Sequence, residues 1–266
     1  MRPIKFATYL DEAGDEPASA CINAKAMGFN YVVLRHLWSS NVASLNDTAC
    51  QSIMKLLKDN ELTPIMLASE IGQVPASTLM SHKSAIDRLF DLAFFFKVPM
   101  VRVFVGDYEN KSELIVKNWM AYVQEKAILS GITPVLEVTH GSSLFNPITL
   151  VQTLSSFKRW KLLYDPAQFI IKQAQDPFVR FWTLIKSYVS CLDIHDFKIG
   201  HGHKPPGYGD TKLVPTLNDA LATLPECWYL MEPALGRKYG PALTKLDVFK
   251  LALDSLDALE LKEAVK

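Results

Sequence analysis

The chain has 266 residues, 49% hydrophobic and 21% charged, which is enough apolar material for a large core and too little charge for a disordered chain. Lysine plus arginine equals aspartate plus glutamate, 28 each, so no net field draws in nucleic acid or an anionic membrane, and a small molecule is the expected partner. Four cysteines (Cys21, Cys50, Cys191, Cys227) stand apart with no C-x-x-C pair, which argues against disulfides and a structural zinc.

The first residues lack an apolar core ahead of a cleavage site, and the longest apolar runs fall short of a membrane span, so a cytoplasmic protein is expected. Short runs rich in Val, Ile and Tyr begin near Lys5, Tyr31, Pro64, Val101, Pro134, Lys161, Val189 and Trp228. Stretches of helical period separate them. Cys50, Ile53, Met54 and Leu57 repeat at helical spacing behind the capping side chains of Asn46, Asp47 and Thr48. Ile86, Leu89, Phe90 and Ala93 do the same, as do Val116, Met120, Val123 and Ala127. Gly28 and Gly131 sit where helices should stop, and a last helix is expected over residues 244–264. Eight βα units with one rhythm and no linker predict a single α/β domain, a parallel eight-stranded (β/α)8 barrel over residues 1–266. A doubly wound open sheet is the rival, but the turn from Leu10 to Asp15 lacks the glycine fingerprint of a dinucleotide site.

A barrel places its chemistry at the C-terminal strand ends. Glu137 ends the fifth run, Asp165 the sixth, Asp193 the seventh and Glu232 the eighth. Alternation puts Val135 with Glu137, Leu163 with Asp165, and Leu230 with Glu232 on common faces, and Cys191, Asp193 and His195 on another. If those faces point inward, four carboxylates converge and repel one another unless a divalent cation joins them. The bland alternative is that each acid caps the next helix, as Asp165 before Pro166 and Glu232 before Pro233 could. An oxygen-rich set with one imidazole suits Mn²⁺, Mg²⁺ or Co²⁺ better than a tetrahedral zinc site.

Seven segments stand in order along the chain: Gly28 to Arg35, Ala68-Ser-Glu-Ile-Gly72, Val101-Arg-Val-Phe104, Pro134-Val-Leu-Glu137 with His140, Tyr164-Asp-Pro-Ala-Gln-Phe169, Leu192 to Lys198, and Met231-Glu-Pro233. Together they resemble the xylose isomerase-like TIM barrels, the sugar phosphate isomerases and epimerases that share a superfamily with family 2 AP endonucleases. The resemblance implies one divalent metal held by Glu137, Asp165, Asp193 and Glu232. It also implies proton transfer next to a carbonyl, through an enediolate, with Glu137 and Glu232 as acid and base and His195 assisting. The sequence departs from the family at two places. Asp193 stands where the family has its ligand histidine and His195 where it has a lysine, so on a second register His195 is the ligand; Val33 replaces the acid of the second strand.

Arg35, His140, Gln168, His195, Lys198, His203 and Arg237 are candidates for holding substrate hydroxyls or a phosphate. The expected function is a metal-dependent isomerase or epimerase of a small sugar or sugar phosphate. The spacing of His201-Gly-His203 and Gly207-Tyr-Gly209 keeps an AP-endonuclease-like hydrolase as an alternative, and the departures at positions 33, 193 and 195 keep a non-catalytic sugar-binding barrel as another.

Overall fold

In the computed structural model the eight apolar runs become eight parallel strands, joined into a closed barrel. Residues 5–107, 112–142, 144–171, 176–235, 243–259 and 261 are described. The strands are β1 (Phe6–Tyr9), β2 (Tyr31–Leu34), β3 (Thr63–Ala68), β4 (Met100–Val103), β5 (Thr133–Glu137), β6 (Lys161–Tyr164), β7 (Val189–Ile194) and β8 (Trp228–Met231). Each pairs with its neighbours in sequence, and β1 meets β8 with Phe6 opposite Tyr229 and Ala7 opposite Leu230. Closure leaves no strand edge unpaired in the barrel.

Helices α1 (Pro17–Ala26), α2 (Asp47–Asp59), α3 (Lys83–Phe96), α4 (Glu113–Ser130), α5 (Pro147–Ser156), α6 (Pro166–Ile171), α7 (Leu213–Thr223) and α8 (Lys245–Asp257) lie between and after the strands. Their limits follow local chemistry. Asn46 caps α2 by accepting from the Ala49 amide at 2.9 Å. Gly131 ends α4 at φ 74°, a left-handed conformation that costs glycine nothing. Thr244 and Asp247 form a reciprocal capping box at the start of α8, which stops at Asp257, short of the expected 264. Between α6 and β7 the helical layer loosens into a π-helical turn, Phe178–Trp182, and a three-residue helix, Thr183–Ile185.

Strand alternation divides the core in two. Ala7, Tyr9, Val33, Met66, Ala68, Met100, Val135, Leu163, Cys191 and Leu230 fill the barrel interior. Their neighbours, such as Val32, Leu67, Val101, Leu136, Leu162, Leu192 and Tyr229, face outward and pack with the helices. Because Val135, Leu163, Cys191 and Leu230 point inward, the acids that follow them by two residues project from the same side at the C-terminal mouth. The four cysteines are buried and free. Among the described residues no helix is long and apolar enough to cross a membrane.

Candidate active site

The mouth of the barrel concentrates buried charge. Asp193 is 0% exposed, Asp165 3%, His195 5%, Arg102 5% and Glu137 7%. Groups this deep persist as ions only when paired.

Asp165 and His195 form the central pair. His195 Nδ1 lies 3.1 Å from both oxygens of Asp165. Asp165 also accepts from the Ala167 amide at 2.9 Å and from Gln168 Nε2 at 3.3 Å, so it caps α6 as well as facing the mouth. Burial opposes its ionisation, but the His195 charge and these hydrogen bonds outweigh burial and hold the carboxyl below the usual range. Burial likewise pulls His195 down, and Asp165 overrides it and raises the imidazole to about 9. The other nitrogen, Nε2, is hydrogen-bonded to His203 Nδ1 at 2.7 Å, with the rings stacked at 4.9 Å.

Glu232 completes a group of three. Asp165, His195 and Glu232 each offer a ligand atom, all within 4.8 Å of one another. Two carboxylates and one imidazole, its extra proton displaced by the ion, fit a divalent cation. An orphaned buried acceptor next to them supports the fit, because Asp193 Oδ2 has no hydrogen-bond partner among the described residues. Oδ1 of the same residue accepts from the Tyr9 hydroxyl at 3.1 Å. Burial first, and then the charges of Glu232 and Asp165, push the Asp193 carboxyl up. The geometry therefore puts His195 in the three-residue group, and Asp193 against Tyr9.

Glu137 turns to the neighbouring strand. Its Oε2 accepts from Arg102 Nη1 at 2.8 Å, and the guanidinium also reaches the carbonyl of Ser69 through Nε at 3.2 Å. Burial raises Glu137 to about 7; Arg102 opposes the rise, while Glu232 and Asp165 add to it. Arg35 is paired with Glu232, Asp11 and Glu12.

The remaining expected contacts divide. Gln168 and His203 join the cluster through Asp165 and His195. His140 is exposed in the turn after β5. Lys198 is exposed on a two-stranded ribbon, Asp196–Lys198 with Gly202–Lys204, and lines a separate cavity of about 470 Å³ with His201, Lys204 and Tyr208. That placement does not bring Lys198 to the three-residue group. Arg237 lies outside the described residues. His203 differs from a solvated loop residue, since the ribbon register sets it opposite Phe197 and its ring stacks on that of His195, whereas His201 is exposed.

Four residues of the mouth are absent from the sequence expectation: Tyr9, Asp11, Glu12 and Arg102. Arg102 carried a signal, because a lone arginine inside an apolar strand, in step with inward Met100, requires a buried partner.

No protein-family model matches the sequence, and no curated protein matches it. Solved structures do match in three dimensions. A xylose isomerase-like TIM barrel protein from Mycobacterium smegmatis in complex with magnesium superposes with a TM-score of 0.72 at 15% identity, covering 96% of this chain and 95% of that one. The fold is that of the xylose isomerase-like TIM barrels. Within that fold, 3-keto-D-glucoside 4-epimerase of E. coli gives a TM-score of 0.70 at 13% identity, covering 94% and 99%. An AP endonuclease, family 2, from Brucella melitensis gives 0.69 at 15% identity, covering 87% and 93%. Xylose isomerase-like barrels at these identities share architecture with this chain.

Proposed function

We propose that the protein is a divalent-metal-dependent isomerase or epimerase of a small carbohydrate: a sugar, sugar phosphate or polyol acid. The observation that carries this reading is the meeting of Asp165, His195 and Glu232 at the C-terminal mouth, beside buried Glu137. The likeness of fold to a sugar epimerase and to a magnesium-bound barrel supports it.

Asp165, His195 and Glu232 would hold Mn²⁺, Mg²⁺ or Co²⁺. Bound there, a divalent cation supplies Lewis acidity to a substrate carbonyl and its neighbouring hydroxyl. Glu137 and Glu232 end strands three places apart in the barrel, so they approach a substrate from different sides. One takes the proton from the carbon beside the carbonyl and the other returns it. Arg102 fixes the orientation of Glu137, and His203 stacks on His195 at the rim, where it meets substrate hydroxyls. The buried interior below, closed by Leu163, Cys191 and Leu230, keeps water from that side of the reaction.

The test is hydrogen exchange. Protein loaded with Mn²⁺ and incubated in D₂O with a panel of ketoses, aldoses and their phosphates should incorporate deuterium beside the carbonyl of its substrate, read by NMR. No exchange across the panel with metal bound counts against the reading. Tight binding without exchange would favour a non-catalytic barrel, and incision of abasic-site DNA would favour the hydrolase.

A further inference from the structure

We propose that Arg35 is the built-in counter-charge of the cation site, holding Glu232 in competition with the cation and so setting how tightly the cation binds. This rests on the reading of Asp165, His195 and Glu232 as a cation site, and gives a role to a residue outside that group.

Arg35 directly follows β2, two residues beyond inward-facing Val33. Its guanidinium spans three strand ends. Nη1 pairs with Glu232 Oε1 after β8, while Nη2 lies 2.9 Å from Asp11 Oδ2 and 2.8 Å from Glu12 Oε1 after β1. Nε lies 3.0 Å from Asp11 Oδ2, and Cζ sits 4.4 Å from the centre of the Tyr9 ring. Every nitrogen is therefore engaged by a carboxylate and one face by an aromatic ring. A guanidinium so occupied has little left to offer the substrate hydroxyls or phosphate that were its expected partners from sequence.

The consequence lies in Glu232, which belongs both to the arginine and to the cation-binding group. A carboxylate that neutralises a guanidinium is a poorer ligand, and a positive group one carboxylate away repels a divalent ion. The Arg35 side chain is only 13% exposed, so solvent screens that repulsion weakly. Asp11 and Glu12 keep the guanidinium in place when Glu232 turns to the cation. Val33, two residues earlier on the inward face of β2, leaves the second strand without a negative group of its own at that position.

The experiment titrates Mn²⁺ alone into the full chain, followed by loss of the free-ion EPR signal, for wild type, Arg35→Gln, Arg35→Met, Arg35→Lys and Asp165→Asn. Removing the charge should tighten Mn²⁺ binding by about tenfold or more, whereas Arg35→Lys, which keeps the charge and loses the fork, should stay within about threefold of wild type. Equal or weaker binding by a folded neutral variant overturns the proposal. Thermal melts identify a variant that has not folded. The wild type supplies an independent check, since saturating Mg²⁺ should shift the Arg35 side-chain ¹⁵Nε resonance, and an unmoved resonance overturns the proposal. Wild-type binding that Asp165→Asn abolishes and Arg35→Gln leaves unchanged removes only the role of Arg35. No Mn²⁺ binding by any of the proteins removes the cation site with it.

Discussion

Arg102 on β4 places Nη1 2.8 Å from Glu137 Oε2 on β5, so a carboxylate proposed to move a proton is held by a guanidinium as buried as itself. Breaking one side of such a pair leaves an uncompensated buried charge. Arg102→Met should cost about 3 kcal/mol of stability, while Arg102→Met with Glu137→Leu should recover much of it, because apolar replacement of both partners removes the desolvation cost. Urea denaturation of the single and double variants measures both, and a larger loss in the double variant would refute the account.

Glu232→Gln keeps the size of the side chain and removes its charge. Solvent exchange should fall by at least about a hundredfold, the usual contribution of a positioned acid or base, with an unchanged circular dichroism spectrum. Wild-type exchange in this variant would take Glu232 out of the reaction.

Cation binding should stabilise the fold by mass action. At a hundred times its dissociation constant, Mn²⁺ should add about 2.7 kcal/mol, seen as a higher melting temperature that EDTA reverses. Asp165→Asn and His195→Gln should abolish that rise, and a rise that persists in both would place the ion elsewhere.

Asp11 links stability to pH. Burial raises its carboxyl, but His36, whose Nδ1 is 3.7 Å away, and the Arg35 guanidinium outweigh burial and hold it at about 2, against an ordinary 3.8. The folded value is the lower one, so the stabilisation is complete above pH 3.8 and is lost as the pH falls toward 2. Its size is at most about 2 kcal/mol by linkage. Asp11→Asn should therefore flatten the acid limb of a stability curve between those pH values. An unaltered limb would contradict the shift.

The loop after β7 hangs on Asp196. Its carboxylate accepts from the amides of Phe197, Gly207 and Gly209 at 2.9, 2.9 and 2.8 Å and from Thr211 Oγ1 at 2.6 Å. A side chain at Gly209 would bring its Cβ to 2.0 Å from Asp196 Oδ1. Gly209→Ala should therefore loosen the segment that carries His203, with faster amide exchange over residues 197–211 and a loss of about 1–3 kcal/mol. Unchanged protection would show that the loop is held by other contacts.

Much of this protein is written locally. The eight strands appear in the sequence because a parallel barrel buries both faces of each strand and so demands short apolar runs at regular intervals. The inward face of β5, β6, β7 and β8 follows from alternation, which is why Glu137, Asp165, Asp193 and Glu232 were legible as a converging set, with His195 on the same face as Asp193. The cap on Asp165 and its place in the cluster were both legible, and both hold in one side chain.

What the sequence could not decide is how the converging charges pair. Asp193 and His195 share a face, and their choice between Tyr9 and the three-residue group depends on a strand from the other end of the chain. Arg35 looked free to meet an anion until closure of β1 against β2 and β8 brought Asp11, Glu12 and Glu232 around it. His203 stood only as a candidate substrate contact until the ribbon register laid it on His195. Periodicity is a property of neighbours along the chain and reads directly from it. The partner of a buried charge is set by desolvation and distance across the closed barrel, and only the tertiary structure supplies that distance.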